Sequence, residues 1–108
     1  MTVKTYLSFD VGTKRTGIAI ANSLTAHASG IETILHNKDG STNWTQIEQS
    51  VSKHQPDKFI VGLPLDNDNK EQEMTFIARS FGRKLEQRFN IEVIFIDEYL
   101  SSSEAKNQ

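Results

Sequence analysis

The 108-residue chain contains no cysteine. This absence excludes disulfide bonds, thiolate zinc sites and cysteine nucleophiles, and it is compatible with a reducing compartment. No stretch approaches the roughly 20 apolar residues that a membrane-spanning helix needs, and the N-terminal residues lack the apolar run of a signal peptide. We therefore expect a cytoplasmic protein that does not associate with membranes.

An excess of positive charge is also absent. Twelve Lys and Arg residues stand against 14 Asp and Glu residues, which gives a net charge of -2. No global basic field is available to attract nucleic acid, so any nucleic-acid contact must be local. The length is enough for one domain with a single core and too short for two.

Runs of apolar residues bounded by turn residues predict five strands. They lie at residues 6–9, 18–21, 29–35, 59–63 and 91–96. The first three strands have short connections, which is typical of an antiparallel meander. The strand at 59–63 follows a helix and is predicted to be buried and parallel. We expect the strands at Phe59 and Val93 to continue the meander, with helices on both faces of the sheet.

Apolar residues at helical spacing predict two helices. Trp44, Ile47 and Val51 mark the first helix, with Ser41 or Thr42 as its cap. The second helix, of about 19 residues, presents one apolar stripe, formed by Met74, Ile77, Ala78, Phe81, Leu85 and Phe89. A capping-box pattern at residues 101–104 predicts the start of a third helix shortly before residue 108.

Acidic residues stand at the ends of two of the predicted strands. Asp10 follows the first apolar strand, and Asp97 and Glu98 end the last one. A charge at such a position is costly unless it is paired or bound to a metal. Neighbouring strand residues point to opposite faces, so we take Glu98 as the partner of Asp10 and Asp97 as the alternative. The competing interpretations are a turn-initiating Asp10 and an exposed cluster of charges at strand ends.

The segment from Gly12 to Gly17 reads as a tight turn that carries Thr13, Lys14 and Arg15. Glycine leaves backbone amides accessible to a phosphate, so residues 12–15 are candidates for contacts with nucleic acid. The turn has only the first half of the spacing of a Walker loop, because residues 18 and 19 replace its Lys and Ser or Thr. The alternative is a solvated hairpin tip.

Several sequence blocks together resemble one family. They are residues 9–14 (FDVGTK), 17–19 (GIA), 61–65 (VGLPL) and 97–98 (DE), followed by Leu100-Ser101 and Glu104-Ala105. In this order they resemble the YqgF family, also called RuvX, of Holliday-junction-resolvase-like proteins. The resemblance implies a ribonuclease-H-like α/β fold in which a mixed five-stranded sheet is flanked by helices. It also implies a single domain, residues 1–108, that lacks the family's C-terminal helix.

The resemblance further implies a divalent-metal-dependent nuclease. Family members are assigned to maturation of the 5′ end of the 16S ribosomal RNA precursor, and DNA junctions are the alternative substrate. The implied catalytic residues are Asp10 and Glu98, and the implied ligands of Mg²⁺ or Mn²⁺ are Asp10, Asp97 and Glu98. Hard carboxylate oxygens suit such ions, and two ions about 3.5 to 4 Å apart can support phosphodiester hydrolysis. Nucleic acid, namely ribosomal RNA precursor, is the expected partner.

Two departures from the family weaken this expectation. Tyr99 stands where family members generally have Arg, and nothing after Glu104 supplies the aspartate of the family's C-terminal helix. We therefore expect weak metal binding by the 108-residue chain, and self-association through sheet surface that the helix would cover. Two other function classes stay open, a non-catalytic RNA-binding or assembly module and a nucleotide-binding domain of the actin and sugar-kinase type. The nucleotide-binding architecture places its ligand between two such domains, and 108 residues provide one.

Overall fold

The computed structural model describes residues 3–24, 28–66, 68 and 70–99. In chain order the elements are β1 (Thr5–Val11), β2 (Arg15–Asn22), β3 (Ser29–Leu35), α1 (Trp44–His54), β4 (Lys58–Leu65), α2 (Glu73–Phe89) and β5 (Val93–Tyr99). This order confirms the β-β-β-α-β-α-β arrangement predicted for this part of the chain. The predicted third helix lies outside the described residues.

The five strands form one mixed sheet in the order β3-β2-β1-β4-β5. β1 pairs antiparallel with β2, and β2 pairs antiparallel with β3. On the other side β1 pairs parallel with β4, and β4 pairs parallel with β5. The expected continuation of the meander by two parallel strands is therefore confirmed. The carboxyl ends of β1, β4 and β5 lie at one edge of the sheet.

One face of the sheet is packed against both described helices. Alternate residues of β1, such as Leu7 and Phe9, and of β4, such as Phe59, are buried in one core cluster with residues of α1 and α2. The Phe81 ring of α2 lies with its centroid 5.4 Å from that of Trp44 and 5.4 Å from that of Phe9. Trp44, which marks the start of the predicted first helix, therefore packs against the core.

The opposite face, which we call the open face, is not covered by either described helix. Ile94 and Ile96 of β5 point to it and are 38% and 46% exposed. The expectation of helices on both faces is thus not met within the described residues. The two helices share a face because the buried residues of β1 and β4 all belong to one alternating set, which α1 and α2 cover together.

The helix ends differ slightly from the prediction. The cap of α1 is Asn43, whose side chain accepts a hydrogen bond from the Gln46 amide at 3.2 Å, so neither Ser41 nor Thr42 caps the helix. α2 has 17 residues. Ile77 is 41% exposed, although it lies on the predicted apolar stripe, because it stands at the margin of that stripe. Neither described helix combines the length and apolar character that crossing a membrane requires.

Candidate functional site

The parallel pairing brings the acidic strand ends to the same edge of the sheet. Asp10 lies near the end of β1 and Glu98 near the end of β5, and β4 runs between them in parallel to both. The predicted meeting of the acidic ends at one edge is thus what the topology produces.

The two candidate acids of β5 lie on opposite faces. Glu98 lines the open face together with Asp10, whereas Asp97 pairs in register with Leu63, which is buried beneath the helices. The surroundings of Arg79 on α2 agree with this placement. Its pKa is raised first by its hydrogen bonds to Glu71 and also by the charge of Asp97. The structure therefore places Glu98 beside Asp10 and Asp97 on the helix side.

The Glu98 carboxylate lies directly over Gly62 of β4. A Cβ atom built on Gly62 would lie 2.5 Å from Glu98 Cδ and 2.8 Å from Oε2, and closer still to Oε1. No real side-chain carbon occupies such a position, so the absence of a side chain at residue 62 provides the space for the carboxylate. This contact could not be predicted from the sequence, because it depends on how β4 and β5 are staggered along each other.

The pKa of Glu98 is raised from its ordinary value. Burial of the carboxylate is the larger cause, and the negative charge of Asp10 is the second. Glu98 as a residue is still exposed, so this burial reflects the local position over Gly62. Asp10 and Glu98 bring two carboxylates to the open face, and a divalent cation between them would offset their like charges. Their hard oxygen atoms are therefore chemically suited to hold a divalent cation.

These carboxylates border a groove of about 560 Å³ on the open face. Its lining includes Asp10, Gly17, Ile60, Gly62, Ile96 and Glu98. Gly17 is paired with Asp10, and a Cβ atom on Gly17 would lie at an ordinary 3.9 Å from Asp10 Cβ. Asp10 and Glu98 are both exposed, so a ligand in the groove can reach them from solvent. No cluster of three His, Cys, Asp or Glu residues suited to a metal occurs in the part of the chain that the structure describes.

The turn between β1 and β2 is shorter than predicted. β2 already begins at Arg15, so Gly17 lies inside a strand. The Gly12 amide donates a hydrogen bond to the Arg15 carbonyl at 2.9 Å, and a Cβ atom on Gly12 would lie 2.7 Å from that oxygen. Gly12 therefore permits the tight turn, and its amide is engaged there rather than free for a phosphate.

The side chains of the turn, unlike the Gly12 amide, are open to solvent. Thr13, Lys14 and Arg15 are all exposed. Neither Lys14 nor Arg15 takes part in a salt bridge with any residue that the structure describes. Two cations are thus available to a ligand at the tip that adjoins Asp10.

Two of the four basic residues of α2 contact a partner side chain, and the other two are exposed. Arg79 makes two hydrogen bonds to the Glu71 carboxylate, at 2.7 and 3.2 Å. Glu71 lies just before the Gln72 cap of α2 and forms a β-bridge with Leu65. Arg88 lies over the Trp44 ring, 4.4 Å from its centroid. The others, Arg83 and Lys84, are exposed and form no salt bridge among the described residues.

Comparison with known proteins identifies the fold and the family of this chain. Solved structures include a distant likeness, Pelota of Archaeoglobus fulgidus, with a TM-score of 0.56 at 10% identity, over 96% of this chain and 30% of that one. This likeness concerns the fold alone. Curated relatives named "Putative pre-16S rRNA nuclease" are much closer in sequence. The relative from Aeromonas salmonicida is 43% identical over 98% of this chain and 75% of its own length.

A second relative of the same name, from Saccharophagus degradans, is 44% identical over 98% of this chain and 74% of its own length. The family model for RuvX, described as Holliday junction resolvase, matches residues 4–108. The match includes both acidic strand ends and the glycines between them. The chain belongs to the RuvX family.

Proposed function

We propose that this chain is a divalent-metal-dependent nuclease that hydrolyses phosphodiester bonds during maturation of the 5′ end of the 16S ribosomal RNA precursor. The observation that carries the proposal is the Asp10 and Glu98 pair at the edge of an open groove. The names of the curated relatives support this substrate, and the RuvX family supports the reaction class.

In this proposal Asp10 and Glu98 hold Mg²⁺ or Mn²⁺ through hard carboxylate oxygens. When bound, such ions supply charge stabilisation at the phosphate and an activated water. Asp97 is the third acid of the strand ends, but its place on the helix side argues against a role as direct ligand of the same ion. The acids are thus assigned to metal binding, and the substrate is positioned by other residues.

The exposed turn supplies the contacts with the backbone of the nucleic acid. Lys14 and Arg15 stand next to the end of β1, and neither forms a salt bridge with a carboxylate in the described part of the chain. A phosphate attracted there lies close to the acidic edge, and such contacts hold the polymer without selecting its sequence. Thr13 adds a hydroxyl group that can donate a hydrogen bond.

The test is cleavage of ribosomal precursor RNA and of four-way DNA junctions, with and without Mg²⁺, by the parent chain and by Asp10→Asn. Asparagine keeps the size of the side chain and removes the charge that the cation requires. We expect Mg²⁺-dependent cleavage of the RNA by the parent and a loss of several orders of magnitude in the variant. The control is Glu48→Gln, which removes one negative charge from an exposed position on α1, on the other side of the sheet.

Each other outcome counts against a stated part of the proposal. Undiminished cleavage by a pure Asp10→Asn protein removes Asp10 from the mechanism. Cleavage of the junction and not of the RNA makes DNA the substrate, as the description of the family model suggests. Binding of RNA without cleavage by the parent at any Mg²⁺ concentration identifies a non-catalytic binding module.

A further inference from the structure

We propose that Gly62 is a positioning residue that sets the place of the Glu98 carboxylate beside Asp10. The expected effect on metal affinity rests on the proposed function. The contact between residue 62 and the Glu98 carboxylate rests on the structure alone. Gly62 lies in β4, between the strands that carry the two acids, and on the same open face.

Backbone conformation does not explain a glycine at this position. Among the described glycines only Gly40 has a positive φ angle, so the backbone at Gly62 is accessible to any residue. Glycine in a strand interior weakens the strand and is typically found where another group must approach closely. The group that approaches here is the Glu98 carboxylate, which occupies the space of the missing side chain.

A methyl group at residue 62 would therefore compete with the carboxylate for one position. The carboxylate is the end of a flexible side chain on an exposed residue, so it can rotate away into solvent at little cost. The rotation would take it away from its position over β4, which is the strand that separates it from Asp10. We expect Gly62→Ala to keep the fold and to displace Glu98.

The experiment compares Gly62→Ala, Glu98→Asp and the double variant with the parent chain. Nuclear Overhauser effects from the Glu98 γ protons to residue 62, measured without metal, report the position of the side chain. Calorimetric titration with Mg²⁺ reports affinity, and thermal unfolding reports the fold. The matched control is Gly30→Ala, on the outer strand β3, because a Cβ atom there has nothing within 4 Å.

We expect Gly62→Ala to abolish the Glu98 contacts, to leave the midpoint of unfolding unchanged or higher, and to lower Mg²⁺ affinity by about 10-fold to 100-fold. Gly30→Ala should match the parent in the Glu98 contacts and in Mg²⁺ affinity, with an unfolding midpoint equal to or above that of the parent. Aspartate is one methylene shorter and withdraws the carboxylate from residue 62. Adding Gly62→Ala to Glu98→Asp should therefore cost no further affinity, so the two losses are not additive.

Retention of the Glu98 contacts in Gly62→Ala would overturn the proposal, and so would additive losses in the double variant. The measurement without metal separates this result from failure of the proposed function. A parent chain that neither binds Mg²⁺ nor cleaves RNA refutes the nuclease. The displacement of Glu98 in Gly62→Ala is then still decided by the contacts alone.

Discussion

The tightest glycine contact in the core gives a prediction about stability. Gly82 of α2 is buried against β5, and a Cβ atom there would lie 2.5 Å from Phe95 Cε1, 2.6 Å from Phe95 Cζ and 3.3 Å from Val93 Cγ1. The obstacle is an aromatic ring beneath a helix, not the free end of a flexible side chain. Gly82→Ala therefore forces α2 and β5 apart.

Two opposing contributions decide how much Gly82→Ala changes the free energy of unfolding. Overpacking a core typically costs about 1 to 3 kcal/mol. Replacing a helical glycine by alanine returns about 1 kcal/mol. The contact distances place the cost at the upper end, so we expect a net loss of about 1 to 2 kcal/mol in the free energy of unfolding. In a domain of this size each kcal/mol lowers the midpoint by roughly 4 to 8 °C.

The assay is thermal unfolding followed by circular dichroism, with urea unfolding as a second measurement. Gly62→Ala is the comparison, because its methyl group meets a movable carboxylate and should not lower the midpoint. Adding Phe95→Leu, which removes the two ring atoms nearest to residue 82, should make the combined loss smaller than the sum of the single losses. A midpoint for Gly82→Ala equal to or above that of the parent would refute the reasoning.

Glu98→Gln should stabilise the metal-free protein at neutral pH. The pKa of Glu98 is raised in the folded state by burial and by the charge of Asp10. The folded state therefore binds the Glu98 proton more tightly than the unfolded state does. The protonated carboxyl group contributes stability at low pH, and this contribution is lost as the pH rises through the folded pKa. The gain in unfolding midpoint should therefore vanish under acidic conditions, and an equal gain at both pH values would contradict this cause. Lys14→Ala should weaken RNA binding at low salt and reduce the slope of log affinity against log salt by roughly 0.7 to 0.9, because one phosphate contact is lost. An unchanged slope in filter-binding titrations would exclude that contact.

Strand polarity is what made the acidic site predictable from the sequence. Asp10 follows a short apolar run, and Glu98 ends another, and the helix between β4 and β5 implies a parallel connection. Parallel strands end at the same edge, so the two acids had to approach. The alternation of strand residues also predicted that only one of Asp97 and Glu98 could share the face of Asp10.

The register of neighbouring strands could not be predicted from the sequence. The turn after Asp10 was predicted to extend to Gly17, because glycine is typical of turns. Gly17 instead pairs with Asp10 inside β2. The carboxylate over Gly62 depends likewise on how the end of β5 is placed along β4, which hydrophobic periodicity does not encode. Periodicity also shows that a strand has a buried face without showing which helices cover it.

Three locally unfavourable features lie at the groove. Asp10 and Glu98 bring like charges together, Gly62 places a residue without a side chain inside β4, and Ile96 exposes apolar surface. Each of these costs stability when considered alone. Natural sequences tolerate such conflicts mainly at functional sites, and these three lie together on the open face. The opposite face has well-packed aromatic rings and buried aliphatic side chains. The occurrence of three such features at one groove therefore supports the proposal that the groove binds a ligand.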